Sequence, residues 1–169
     1  MRIYLIGFMG SGKSTLGKEL ASRLGCSFLD LDQFIELSCR KSVPEIFRDE
    51  GELSFREKER ACLGQIAEKD HVVVATGGGA PCFFDNMEFM NRTGCCVFLD
   101  VQTGELARRL TNEKADRPLI RGKGPDELVR FIGAMMAERR PYYEKARCVV
   151  KGDSISVEDV IKKMEEDCE

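Results

Sequence analysis

Short apolar runs rich in branched residues alternate along this chain with longer stretches in which apolar positions recur every three or four residues. A strand buried on both faces reads as a continuous apolar run, and a helix lying on a sheet as a stripe of period near ~3.6. The alternation therefore predicts βα units and a parallel sheet covered by helices on both sides. Five strands are expected, at 3–6, 27–31, 71–76, 95–100 and 147–151. Between the first two, Leu16, Leu20 and Leu24 share one helical face and Gly25 supplies a stop signal. The stretch 33–40 reads as helical, Ser42-Val43-Pro44 as the cap and first turn of a short helix ending near Gly51, and 54–69 as a further helix. Helices are thus inserted between the second and third strands. A helix is expected at 106–111. The periodic pattern then fails over 112–125, which contains two prolines and two glycines and reads as a mobile loop. A long helix is expected at 126–140, broken by Pro141, and Ser156 to Asp159 opens a terminal helix with Val160, Ile161 and Met164 on one face.

At 169 residues, with 43% hydrophobic and 33% charged positions, the chain suits one globular domain, 1–169, and neither a disordered nor a fibrous polymer. Its 26 Lys and Arg against 29 Asp and Glu leave a net charge of -3, so no nucleic-acid partner is expected. The charge is uneven. Positions 108–151 hold twelve basic residues against six acidic ones, which is either a segment built to meet anions or a solvated helical face. Eight cysteines would suggest a disulfide scaffold in a short secreted chain. No secretory signal precedes the first strand, no C-x-x-C pair occurs, and Cys95 and Cys96 sit in an apolar run where a thiol acts as a small hydrophobe. Reduced thiols in a cytoplasmic protein are the expectation. A zinc site would need Cys and His clustered at ligand spacing, and the sole histidine, His71, reads as a structural residue at a strand start. The longest apolar stretch, 3–9, is far below the ~20 residues that span a bilayer, so no membrane partner is expected.

The segment Gly7-Phe8-Met9-Gly10-Ser11-Gly12-Lys13-Ser14 matches G-x-x-x-x-G-K-[ST], directly after an apolar strand and before a leucine-faced helix. Glycines let backbone N–H groups curl around a phosphate, and the helix amino end adds a favourable dipole. Lys13 is expected against the β- and γ-phosphates of a nucleoside triphosphate, and the Ser14 hydroxyl on Mg²⁺. The second strand ends Asp30-Leu31-Asp32, which would place two carboxylates on one side of the carboxyl end of a strand, where open α/β sheets bind ligands. One could hold the metal and the other an acceptor hydroxyl, the alternative for Asp32 being a solvated turn or a cap for the helix that follows. The third strand runs into Gly77-Gly78-Gly79, either a close approach of backbone N–H groups to a ligand or a flexible turn.

Taken in order, the P-loop, Phe28-Leu29-Asp30-Leu31-Asp32, Gly51-Glu52-Leu53-Ser54-Phe55-Arg56, Gly77-Gly78-Gly79, Arg117-Pro118-Leu119 and Arg139-Arg140-Pro141-Tyr142-Tyr143 resemble the shikimate kinases over about residues 1–150. The resemblance implies an open, three-layer α/β fold of the nucleoside monophosphate kinase type, with five parallel strands in the order 2-3-1-4-5. It implies transfer of the ATP γ-phosphate to the 3-hydroxyl of shikimate, on the route to chorismate and the aromatic amino acids, with Mg²⁺ as cofactor. Within the domain, 32–60 would be the substrate-binding insertion and 112–125 the lid. Carried over by motif, Lys13, Asp32 and Arg117 would be catalytic. Gly10, Ser11, Gly12, Lys13, Ser14, Thr15, Arg109 and Arg117 would bind ATP, with Arg108 competing for the adenine contact. Asp32, Arg56, Gly77, Gly78, Gly79 and Arg139 would bind shikimate, and Ser14 and Asp30 the metal. Glu59, one turn beyond Arg56, would orient that arginine. Partners are expected to be ATP and shikimate, and the chain a monomer. Gluconate and nucleoside monophosphate kinases share the P-loop and lid, and a non-catalytic ATP-binding domain would share the fold.

Overall fold

The computed structural model describes residues 1–113 and 118–168. β1 (Arg2–Ile6), β2 (Ser27–Asp30), β3 (Val72–Ala75), β4 (Cys95–Asp100) and β5 (Cys148–Lys151) pair in parallel as one sheet in the order β2-β3-β1-β4-β5. The central strand shows why its sequence is continuously apolar. Tyr4 and Ile6 point into a core shared with Val72, Val74, Cys96 and Phe98, while Ile3 and Leu5 point into a second core with Val73, Val97 and Leu99. Ile3, Tyr4, Leu5 and Ile6 are all fully buried. Each such side chain contributes about 1.5–3 kcal/mol of burial free energy.

Helices close both faces. α1 (Lys13–Leu24) lays Leu16 and Leu20 on the second core, together with α7 (Val157–Asp167), which Ser156 and Asp159 open as a capping box. The first core takes side chains from α2 (Leu31–Cys39), α3 (Val43–Ile66), α4 (Asn86–Thr93), α5 (Thr103–Asn112) and α6 (Pro125–Tyr143). α3 starts at the anticipated cap, where Ser42 and Glu45 satisfy each other's backbone N–H groups. Its helical ladder is interrupted at Gly51 (φ 84, ψ 172), so two helices meet there, and the second ends at Ile66, short of 69. Among the described residues no helix is long and apolar enough to cross a membrane.

Four expectations are corrected. α2 begins at Leu31, so β2 stops at Asp30, and Asp32 lies in a first helical turn instead of on a strand. Pro141 does not end α6, which continues to Tyr143. Proline removes one ladder bond at a cost of about 3 kcal/mol, but only the last turn follows it. Fully buried Tyr143 repays that turn by packing on Phe98 at 5.0 Å between ring centroids and donating its hydroxyl to the Gly78 carbonyl. α4 was not anticipated; its buried Met87 and Met90 span one turn, too short a run for the period to show. The thiols are not all reduced: Cys95 and Cys168 are joined by a disulfide. They are far apart in sequence, and the packing of α7 against the sheet brings them together.

Candidate functional site

Three chain crossings at the carboxyl edge of the sheet build the site. After β1 the chain turns through Gly7 to Gly12 into α1, whose amino end carries no side-chain cap. Gly12 has φ 90, a backbone that side chains rarely adopt, and this turn aims the first N–H groups of α1 outward. Lys13 is buried and folds back, its Nζ donating to the carbonyls of Gly7 (2.8 Å) and Phe8 (2.9 Å). A positively charged donor thus sits inside an anion cradle.

β2 delivers Asp30 to the same edge. Its Oδ1 accepts from the N–H groups of Asp32 (3.1 Å) and Gln33 (3.2 Å), and its Oδ2 accepts from the Ser14 hydroxyl (2.8 Å). Asp30 therefore performs the capping that had been an alternative for Asp32. Asp32 is left half-buried, with its carboxyl raised above the ordinary range, first by burial and then by the neighbouring charge of Asp30, with Lys13 opposing.

After β3 come the three glycines, and each leaves room for a different charged head. A Cβ on Gly77 would lie 3.1 Å from Asp32 Oδ1 and 3.4 Å from Glu59 Oε2. One on Gly78 would lie 2.9 Å from Arg139 Nη1, and one on Gly79 2.5 Å from Arg56 Nη2. The run is a close approach of the backbone to the chain's own charged side chains. Arg56 is buried, donates to Glu59 (3.0 Å) and stands 4.0 Å over the Phe83 ring. Glu59 is fully buried, and burial raises its carboxyl to about 7 against the opposing pull of Arg56. Its Oε2 and the Arg56 Nε are buried without a hydrogen-bond partner among the described residues, so both retain bonding capacity. Arg139 lies 5.4 Å from the Phe8 ring. The neighbouring Arg140, not Arg139, takes the surface acids, with two 3.0 Å bonds to Asp100 and a 3.5 Å contact to Glu144.

Two cavities adjoin at the P-loop. One, about 300 Å³, is lined by Lys13, Ser14, Asp30, Asp32, Gly77 and Gly78 among others. The other, about 520 Å³, lies beyond Gly10, Gly12 and Thr15 against α5. There Arg109 donates to the Gly10 carbonyl (3.2 Å) and to the Asp153 carbonyl, and so ties the P-loop to the turn after β5. Arg108 forks onto Glu105 (2.7 and 2.8 Å), Arg109 also donates to Glu105 (2.9 Å), and both arginines line this cavity. Sequence reasoning overlooked Ser154 and Ile155, which line this cavity. Their position just past the last strand was the signal available. Arg117 lies outside the described residues.

A P-loop on the central strand of a 2-3-1-4-5 parallel sheet, with an acidic and basic acceptor cavity beside it, defines a P-loop phosphotransferase of the small-molecule kinase class. The sequence model of the family described as shikimate kinase matches residues 9–169, and the chain belongs to that family. Shikimate kinase of Bacteroides thetaiotaomicron is 46% identical over 170 residues, 98% of this chain and 97% of the relative. Its crystal structure superposes with a TM-score of 0.91. The enzyme of Phocaeicola vulgatus is 50% identical over 154 residues, covering 91% of this chain and 88% of its own. Acinetobacter baumannii shikimate kinase, solved in complex with shikimate, is 34% identical with a TM-score of 0.83, over 98% of this chain and 90% of that one.

Proposed function

We propose that this chain transfers the γ-phosphoryl group of ATP to the 3-hydroxyl of shikimate, giving shikimate 3-phosphate and ADP. The observation that carries the reading is the Gly77-Gly78-Gly79 run, which packs closely against Asp32, Glu59, Arg139 and Arg56 next to the cavity that Asp32, Gly77 and Gly78 line. That set suits a hydroxylated carboxylic acid: guanidinium forks for the carboxylate and a buried carboxylate for a hydroxyl. A nucleotide acceptor would bring its own phosphate and require a slot for a base.

In this reading 32–60 carries the acceptor. Arg56 and Arg139 hold its carboxylate, with Gly77, Gly78 and Gly79 against its ring. Asp32 takes the proton of the 3-hydroxyl; a carboxylate whose pKa burial has raised is a better acceptor than a solvated one. The hydroxyl oxygen bonds to the γ-phosphorus as the bond to the bridging oxygen breaks, and ADP leaves. The loop N–H groups of Gly10, Ser11, Gly12, Ser14 and Thr15 hold the phosphates, Lys13 trades its loop carbonyls for phosphate oxygens, and Arg109 faces the adenine side. Arg117, on the lid 112–125, would reach the phosphates on closure and exclude water. Magnesium fits the chain's own donors, since the Ser14 hydroxyl and Asp30 carboxylate meet at 2.8 Å beside the phosphate cradle and oxygen ligands suit a hard cation. When bound, it offsets negative charge on the phosphates. A monomer is the proposed working unit. The protein is read as cytoplasmic, where the disulfide would stand open.

A coupled assay of ADP release tests the proposal with shikimate, gluconate and a nucleoside monophosphate as alternative acceptors. Release driven by shikimate is expected. Release driven by either of the other acceptors instead, or by none of the three, overturns the reading.

A further inference from the structure

At the opposite edge of the sheet from the P-loop, three cysteines converge from three elements. Cys95 heads β4, Cys148 heads β5 and Cys168 follows α7. Val97 pairs with Cys148, and since Cys95 lies two residues before Val97 on the same face, both thiols point toward α7. All three sulfurs lie within 4.8 Å of one another. The Cys148 Sγ is 3.6 Å from that of Cys95 and 3.2 Å from that of Cys168. Packing alone accounts for isolated buried thiols such as Cys62. It does not account for three sulfurs gathered across sequence separations of 53 and 20.

We infer that the reduced chain binds one thiophilic d¹⁰ cation, Zn²⁺ or Cu⁺, between the thiolates of Cys95, Cys148 and Cys168, fastening the end of α7 to β4 and β5. The geometry is close to what such an ion requires. Zinc–thiolate bonds of about 2.3 Å set sulfur–sulfur edges of about 3.8 Å, and two edges of the triangle are already 3.6 and 3.2 Å. The third edge opens when the disulfide is reduced, and the 6.6 Å between the Cα atoms of Cys95 and Cys168 leaves room for it. The chemistry of the donor set is purely soft, which selects these cations over Mg²⁺. Cys95 and Cys168 are partly exposed, so an ion has an entry path and water a fourth position. Asp167, beside Cys168 in the chain, is already paired with Lys163 at 3.0 Å.

Oxidised and metal-bound forms exclude each other. Opening the disulfide with a water-soluble phosphine takes two electrons from phosphorus, which departs as the phosphine oxide with oxygen from water, and returns both sulfurs as thiols. Binding of Zn²⁺ then releases the three thiol protons to solvent.

The test uses the full chain, reduced with phosphine and desalted without oxygen. Zn²⁺ is titrated against a chromogenic chelator, Co²⁺ as its spectroscopic stand-in, and Cu⁺ against a cuprous chelator. One equivalent bound, with a sulfur-to-cobalt charge-transfer band or a cuprous-thiolate absorption, is expected. Cys148→Ser and Cys168→Ser should each weaken binding by at least about 100-fold, while Cys26→Ser and Cys39→Ser should not. The cation should raise the Tm of the reduced wild type and leave the Tm of Cys168→Ser unmoved, which keeps the reading testable if Cys148→Ser fails to fold. Zinc and copper arms decide which ion is held. Absence of stoichiometric binding in both arms, or binding undiminished in the two cluster variants, overturns the inference.

Discussion

Substituting Gly79 by alanine probes the acceptor cavity without touching a charge. The residue has φ -86 and ψ -15, an ordinary conformation for alanine, so the backbone imposes no penalty. The cost is steric: the new Cβ would stand 2.5 Å from Arg56 Nη2, 2.9 Å from Nη1 and 3.0 Å from Cζ. Reaching ordinary contact requires the guanidinium to retreat by about 1 Å. It has nowhere easy to go, because the Phe83 ring lies 4.0 Å from Cζ and Glu59 pins Nη1 at 3.0 Å. Overpacking of this kind costs about 1–3 kcal/mol of stability. If Arg56 binds the carboxylate, the displaced fork also loses a charge-assisted hydrogen bond worth about 1.5–3 kcal/mol. KM for shikimate should then rise about 10- to 100-fold while KM for ATP stays near wild type. Gly64→Ala is the control, since its Cβ would meet nothing within 4 Å in the helix that carries Arg56. There alanine should stabilise by roughly 0.5–1 kcal/mol and leave both KM values alone. Steady-state kinetics with each substrate varied, alongside urea denaturation, checks both. An unchanged shikimate KM in Gly79→Ala would refute the assignment of Arg56 to the acceptor.

Lys13→Ala should abolish ADP release while leaving the circular dichroism spectrum and Tm close to wild type, because its Nζ donates to the loop carbonyls of Gly7 and Phe8 and its side chain is not part of either hydrophobic core. Asp32→Asn should lower kcat by roughly 100-fold or more with little change in nucleotide binding. In the wild type kcat should fall as pH drops through the raised pKa of Asp32, above the usual carboxylate range, and a single-turnover pH series reads both effects. Arg139→Lys keeps the charge and loses the fork, so shikimate KM should rise about 10-fold in the same kinetics, whereas a surface arginine would show almost no change. Folded Glu59 keeps its proton up to about 7, while in the unfolded chain it releases it near 4.5. Its contribution to stability is therefore present at low pH and declines as pH rises across that window. Glu59→Gln should flatten that part of the curve of denaturation midpoint against pH, and an unaltered slope would assign the effect elsewhere.

Periodicity and glycine chemistry determined most of the architecture here. Ile3 to Ile6 could only be a strand buried on both faces, Leu16 and Leu20 could only be a helix against it, and the P-loop spacing located the phosphate cradle between them. Such signals are local: a period, a cap or a turn is written within a few residues of where it acts. Elements too short to show a period, such as α4, escaped notice, and Pro141 misled because a tertiary contact, Tyr143 on Phe98, outweighed a local rule. The individual roles around the site were beyond local reading. Which of Asp30 and Asp32 caps α2 depends on where β2 stops, and that is set by pairing with β3. That Gly77, Gly78 and Gly79 each face a different charged head depends on α2, α3 and α6 arriving together at one edge. The cysteines state the contrast most plainly. In sequence Cys95, Cys148 and Cys168 share no spacing motif, and only the packing of α7 across β4 and β5 turns them into one cluster. Sequence patterns report what each segment prefers by itself, whereas proximity between distant segments exists only after the hydrophobic faces have been buried against one another.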